Sequence, residues 1–231
     1  MDKLEDYLLA QGPVEAVGAR LLREVVYDRL YDAIRNTRLQ PGDALSEPRI
    51  ARALGISRTP VREALHLLTQ AGLLETIPGR AVLVASPSMR NIFDSLQVRE
   101  LLEPEMMKAV ALTMAAGEIR ELLEITAEME RAAATGDRPG WSRADNQWHE
   151  LMSRACPNRL LGELVLQTRN RIFITAADEN VTDQYLIDGT QEHKKIVAAI
   201  EARDGELARQ LTLNHITNLK ADMIRRYNLH H

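Results

Sequence analysis

Apolar residues recur at helical spacing along most of this chain. Val25, Val26, Leu30, Ala33 and Ile34 stripe one face from about Leu21 to Thr37, and Pro41-Gly42 ends that predicted helix. A shorter helix is predicted from Ser46, an N-cap residue type, with Pro48 tolerated in the first turn and Leu45 and Ile50 spaced as a hydrophobic staple. Gly55 breaks it after Leu54. Ser57 then opens a third helix whose inner stripe is Val61, Ala64, Leu65 and Leu68, ending near Gly72. Two short strands follow, Leu74–Ile77 and Ala81–Val84, around a Pro78-Gly79-Arg80 turn. Beyond Ala85-Ser86-Pro87-Ser88 the spacing predicts six more helices, at about 89–115, 118–134, 139–155, 158–176, 182–202 and 206–227. Breaks fall at Gly117, Gly136-Asp137, Pro157 and the Asp178–Val181 region.

This order predicts a mainly α protein of two domains. Residues 20–85 read as a winged helix-turn-helix, three helices plus a two-stranded wing; 86–88 are a linker, and 89–231 form an all-α six-helix bundle. Residues 1–19 are an N-terminal arm, where Leu4, Tyr7 and Leu8 suggest a short amphipathic turn reaching a partner subunit. A chain of 231 residues holds two modest cores. No apolar run approaches the roughly eighteen residues of a membrane span, and Met1-Asp2-Lys3-Leu4-Glu5-Asp6 is too acidic for a signal peptide. The single Cys156 excludes an internal disulfide and fits a reducing cytoplasm, with a packed thiol as its plainest role.

The net charge of −4 is unevenly spread. From Arg20 to Pro87 ten Lys/Arg stand against seven Asp/Glu, whereas from Ser88 on eighteen stand against twenty-two. A mildly basic segment is thus joined to an acidic one, which points to two jobs. On the third helix Arg58, Thr59, Arg62 and His66 share the face opposite the apolar stripe. A helix N-terminus with arginines at i and i+4 reaches phosphates and guanine edges in a major groove. Arg80, at the hairpin tip, is placed to touch a phosphate or enter the minor groove. The competing reading is an ordinary solvated arginine face; the order of short helix, Gly turn, arginine-bearing helix and hairpin argues against it.

In the second domain the informative residues are Asp145, His149, His193 and His215. Asp145 and His149, four apart, lie one above the other on a helix. His193 and His215 stand eleven residues either side of Asp204, so a turn at Arg203-Asp204-Gly205 brings them to the same height on two antiparallel helices. Their neighbours are apolar at helical spacing, so all four sit on faces due for burial. A buried carboxylate needs a cation. One carboxylate with three imidazoles suits a first-row divalent metal: Zn, Ni, Mn or Fe. Packed core histidines are the plainer alternative.

The run Leu45-Ser46-Glu47 through Ala53-Leu54-Gly55-Ile56-Ser57-Arg58-Thr59-Pro60-Val61-Arg62-Glu63-Ala64-Leu65 closely resembles the operator-reading domain of GntR-family transcription regulators. The remainder is similar to the effector domain of the FadR-type subfamily, called FCD, whose pattern is Asp-x3-His, a later Glu-His-x2-Ile and a final His about twenty-two residues on. Here these are Asp145/His149, Glu192-His193-Lys194-Lys195-Ile196, and His215. The resemblance implies that these four hold a metal that helps bind a small effector. It implies DNA contacts at Ser57, Arg58, Thr59 and Arg62, with Gly79 at the wing tip. Where some members carry a DNA-contacting arginine this chain has Pro48, and Arg49 is the adjacent substitute. The family-like Val98-Arg99-Glu100-Leu101-Leu102-Glu103-Pro104 phrase suggests that Arg99 faces the pocket as a clamp for a small organic acid. A simple i,i+4 pair with Glu103 is the equal alternative. Asn170 and Asn218 are further candidates for effector hydrogen bonds. The expected function is a homodimeric repressor of double-stranded operator DNA, controlled by a small carboxylate metabolite. A constitutive DNA binder with a structural metal, and a metalloenzyme acting on organic acids, stay open. Against the enzyme, the chain has no His-Glu-x-x-His base, no phosphate loop and no Ser/His/Asp set.

Overall fold

The computed structural model describes residues 3–12, 21–35, 39–77, 81–85, 89–176 and 182–228. Gly79 and Arg80, the 86–88 linker, and residues 1–2 and 13–19 of the arm lie outside them. The chain divides into two compact units, Met1–Ser88 with Asn170–Ala177, and Met89–Arg169 with Asp178–His231.

In the first unit, α1 (Lys3–Ala10) precedes α2 (Leu22–Arg35), α3 (Glu47–Leu54) and α4 (Arg58–Gln70). Val26, Leu30, Ile50, Leu54, Val61 and Leu68 close one apolar core among them. Gly55 ends α3 at φ 69°, a left-handed cap in which its N–H bonds the carbonyls of Ala51 and Arg52. Ser46 and Ser57 occupy the N-cap positions of α3 and α4 with extended backbones, but neither side chain makes the capping bond that its residue type suggests. The wing has a strand that the alternation did not predict. β1 (Ala44–Leu45) pairs antiparallel with β3 (Ala81–Val84), which pairs with β2 (Leu74–Ile77), giving the order β1-β3-β2. Two residues are too few for a period-2 signal. The arm also differs from expectation: Leu4 and Leu8 of α1 are buried in the core of their own unit.

The second unit is helical: α5 (Met89–Thr113), α6 (Ala116–Thr135), α7 (Arg138–Ala155), α8 (Arg159–Ala176), α9 (Asp183–Glu201) and α10 (Gly205–Asn228). Each end lies within two residues of the predicted one. Five buried methionines, together with Leu122, Trp148, Leu151 and Ile200, fill the core. Arg203, at φ 58°, turns α9 into α10 and donates to the Ala111 carbonyl of α5 at 3.2 Å. No helix among the described residues is long and apolar enough to cross a membrane.

Candidate functional site

Three helices bring the expected cluster together inside the second unit. Asp145 and His149 come from the buried face of α7, His193 from α9 and His215 from α10. His149 Nε2 and His193 Nε2 are 3.4 Å apart, and Asp145 Oδ1 lies 3.6 Å from the first and 3.4 Å from the second. A ring nitrogen of His215 joins the other two imidazoles, all within 4.8 Å of one another. The point equidistant from Asp145 Oδ1, His149 Nε2 and His193 Nε2 lies about 2.0 Å from each, the length of a Zn–N bond.

The outer hydrogen bonds decide which nitrogens face inward. His193 Nδ1 lies 2.7 Å from the Gly189 carbonyl, which only accepts, so Nδ1 carries the proton and Nε2 presents a bare lone pair. His215 Nδ1 donates to Glu192 Oε2 at 2.6 Å, leaving its Nε2 to the cluster. Glu103 Oε1 lies 3.6 Å from His149 Nδ1, on the outer side of that ring and beyond hydrogen-bond length. Burial, reinforced by the Arg169 charge, lowers the His149 pKa to about 3. Burial and the neighbouring His215 lower that of His193 to about 4. Burial opposes ionisation of Asp145, but the Arg169 guanidinium and the imidazoles outweigh it and hold the carboxyl well below its usual range. Near neutral pH, His149 and His193 are therefore neutral and Asp145 is ionised, with the bare His193 Nε2 and the carboxylate facing one point. One carboxylate and three imidazole nitrogens at these separations make a donor set that suits a divalent metal ion.

Arg169 of α8 was not foreseen. Its Nη2 bonds Asp145 Oδ2 and its Nη1 donates to Asn146 Oδ1 at 3.0 Å, with all three residues buried. A signal existed: Leu161, Val165 and Arg169 step by four along one face, so an arginine continues an apolar stripe and must meet a buried acid. Arg99, the expected clamp, is buried with Nε 2.6 Å and Nη2 3.2 Å from Glu103, in the i,i+4 pair that was its alternative. Burial disfavours the Glu103 carboxylate, yet Arg99 and His149 bring its pKa down to about 2. Asn218 is exposed and donates to Glu192 Oε1 at 2.6 Å, bracing the partner of His215. Asn170 is buried and groups with the first unit. Trp148 packs edge-on against His149 and His193, and its Nε1 is buried with no hydrogen-bond partner.

In the first unit Ser57, Arg58, Thr59, Arg62 and His66 are all exposed on α4, opposite buried Val61, Ala64, Leu65 and Leu68. Glu47 grips Arg62 side-on, at 2.9 Å from Nε and 2.8 Å from Nη2. Arg49 Nε donates to Glu5 of α1 at 2.7 Å, and His66 Nε2 lies 3.2 Å from Gln70 Nε2.

Residues 22–84 match the bacterial regulatory proteins of the gntR family, and residues 94–218 match the FCD domain. The chain belongs to the GntR family and carries an FCD domain. It is 29% identical to the Uxu operon transcriptional regulator of Escherichia coli K12, over 93% of this chain and 88% of that one. To the HTH-type transcriptional regulator LutR of Bacillus subtilis it is 28% identical, over 81% and 94%. The solved structure of E. coli McbR/YncC shares the fold, with TM-score 0.78 and 22% identity, covering 90% of this chain and 99% of that one. This GntR regulator is therefore a DNA-binding transcription regulator, not an enzyme.

Proposed function

We propose that this regulator is a repressor of the FadR type whose grip on operator DNA is set by a small organic acid bound beside a metal in the FCD domain. The observation that carries the reading is the convergence of Asp145, His149, His193 and His215, with the Nδ1 protons of His193 and His215 directed outward. Asp145, His149, His193 and His215 would hold the ion, zinc first, with nickel, manganese or iron also accepted by this donor set. When bound it supplies positive charge for a ligand carboxylate. Glu192, Gly189 and Glu103 orient the imidazoles, and Arg169 fixes Asp145. The Trp148 ring packs against His149 and His193, and its buried N–H, which has no hydrogen-bond partner, supports a polar ligand near them. Arg99, committed to Glu103 through two nitrogens, acts on the site through Glu103 and His149.

Two copies present two α4 helices to the half-sites of a pseudo-palindromic operator, as dimeric helix-turn-helix readers do. Arg58, Thr59 and Arg62 reach base edges and phosphates, Ser57, Arg49 and His66 the flanking backbone, with Gly79 and Arg80 as further proposed DNA contacts. Ligand shifts operator affinity only by its preference for one arrangement of the readers. The test selects an operator from a random duplex library, then titrates the full chain by fluorescence anisotropy with candidate acids, with and without chelator. A metal-dependent shift of about 5- to 150-fold with one acid is expected. Unchanged affinity with every acid would leave the metal a structural role in a constitutive binder.

A further inference from the structure

We propose that Glu5, on a helix outside the family-matched residues, sets the affinity of the DNA reader by competing with a backbone phosphate for Arg49. The family match begins at residue 22, yet α1 is built into the reading unit: Leu4 and Leu8 are buried in its core against α3. Arg29 secures the end of α1, donating to the Gly12 carbonyl at 2.6 Å. Held there, α1 points one carboxylate at α3. Glu5 Oε1 accepts from Arg49 Nε at 2.7 Å, and Arg52, three residues on, adds its positive charge to the same side.

The first turn of α3 belongs to the reading side of the unit. Glu47, two residues before Arg49, spans to Arg62 on α4 through two hydrogen bonds. In helix-turn-helix readers the helix before the recognition helix crosses the DNA backbone, so a cation in its first turn is placed to meet a phosphate. Arg49 and Glu5 keep side-chain exposures of 47% and 23%. A pair this wet is weak enough for a phosphate to displace. Its carboxylate must then be released beside DNA, where it repels. Both effects have the same sign: Glu5 weakens binding.

The inference rests on Arg49 being a DNA-facing cation, and the experiment separates the two. The probe is a labelled mixed-sequence duplex, because phosphate contacts are independent of sequence. Full-length wild type, Glu5→Gln, Arg49→Gln, the double variant and Arg58→Ala are titrated by anisotropy across a range of salt. One added phosphate contact steepens the log–log salt slope by about 0.9, which, extrapolated from 1 M, is about eightfold tighter binding at 0.1 M and about fourfold at 0.2 M. Glu5→Gln is expected to show that gain with an unchanged melting temperature, since Leu4 and Leu8 keep α1 seated. In the Arg49→Gln background the gain should fall below about twofold. An equal gain in that background means general repulsion and overturns the competition for Arg49. No change, or weaker binding, in Glu5→Gln overturns the proposal while leaving the reader intact. If Arg58→Ala also binds as wild type, the assignment of α4 as the reader fails with it.

Discussion

Replacing Arg169 with methionine removes a buried cation while keeping most of its stem. The Asp145 side chain is 9% exposed and that of Arg169 6%, so the variant leaves Asp145 Oδ2 in the bundle without its strongest partner. Asn146 Oδ1 also loses its 3.0 Å donor. Breaking a buried pair from one side costs about 3–5 kcal/mol. For a helical domain of roughly 140 residues the unfolding entropy at the midpoint is about 0.3 kcal/mol/K, so the metal-free variant should melt about 10–17 °C lower. Two controls separate charge from packing. Adding Asp145→Asn removes the orphaned carboxylate and should return most of the loss, because deleting both members of a buried pair is far milder than deleting one. Saturating zinc should likewise shrink the deficit to about 1–2 kcal/mol, since a cation at Oδ1 then meets the same carboxylate. Thermal circular dichroism in chelator and in zinc, on wild type and both variants, reads each of these states. Equal destabilisation with and without zinc, and no rescue by Asp145→Asn, would refute the view that Arg169 and the ion balance one acid.

Acid should undo the metal-free protein in a defined window. His149 and His193 are held at about 3 and 4, below their ordinary 6.5, so the unfolded chain binds more protons than the folded one between those limits. Stability is then full above pH 6.5 and falls as pH drops towards 4, with a slope approaching about 2.7 kcal/mol per pH unit for two histidines; flat urea midpoints from pH 6.5 to 4.5 would contradict this. Gly162→Ala puts a Cβ 2.4 Å from the Ser153 carbonyl where α7 hands over to α8, and should cost about 1–3 kcal/mol by thermal melt. Arg58→Ala, at an exposed position, should leave the melting temperature within a degree or so while costing about 1–3 kcal/mol of binding to a selected operator.

The sequence carried the site where spacing alone sets proximity. Asp145 and His149 are one helical turn apart, and the equal limbs about Asp204 bring His193 and His215 to ring centroids 4.9 Å apart. Gly55 and the stripe of α4 likewise made the reader legible. What escaped was contact between elements with no fixed spacing. Arg169 meets Asp145 across 24 residues, and Glu103 meets His149 across helices; no period announces either. Arg99 was a choice between a pocket and Glu103, settled only by burial of both side chains. β1 is too short to alternate, and α1 showed an apolar edge without saying which surface it covers.

The central claim, that Asp145 and three imidazoles hold one divalent ion, is tested most directly by zinc K-edge X-ray absorption on the stoichiometrically loaded, full-length protein. The account predicts one tightly held ion per chain with only nitrogen and oxygen neighbours at about 2.0–2.2 Å and outer-shell scattering from imidazoles. A sulfur neighbour at about 2.3 Å, or a folded protein that retains no zinc, nickel, manganese or iron, would contradict it.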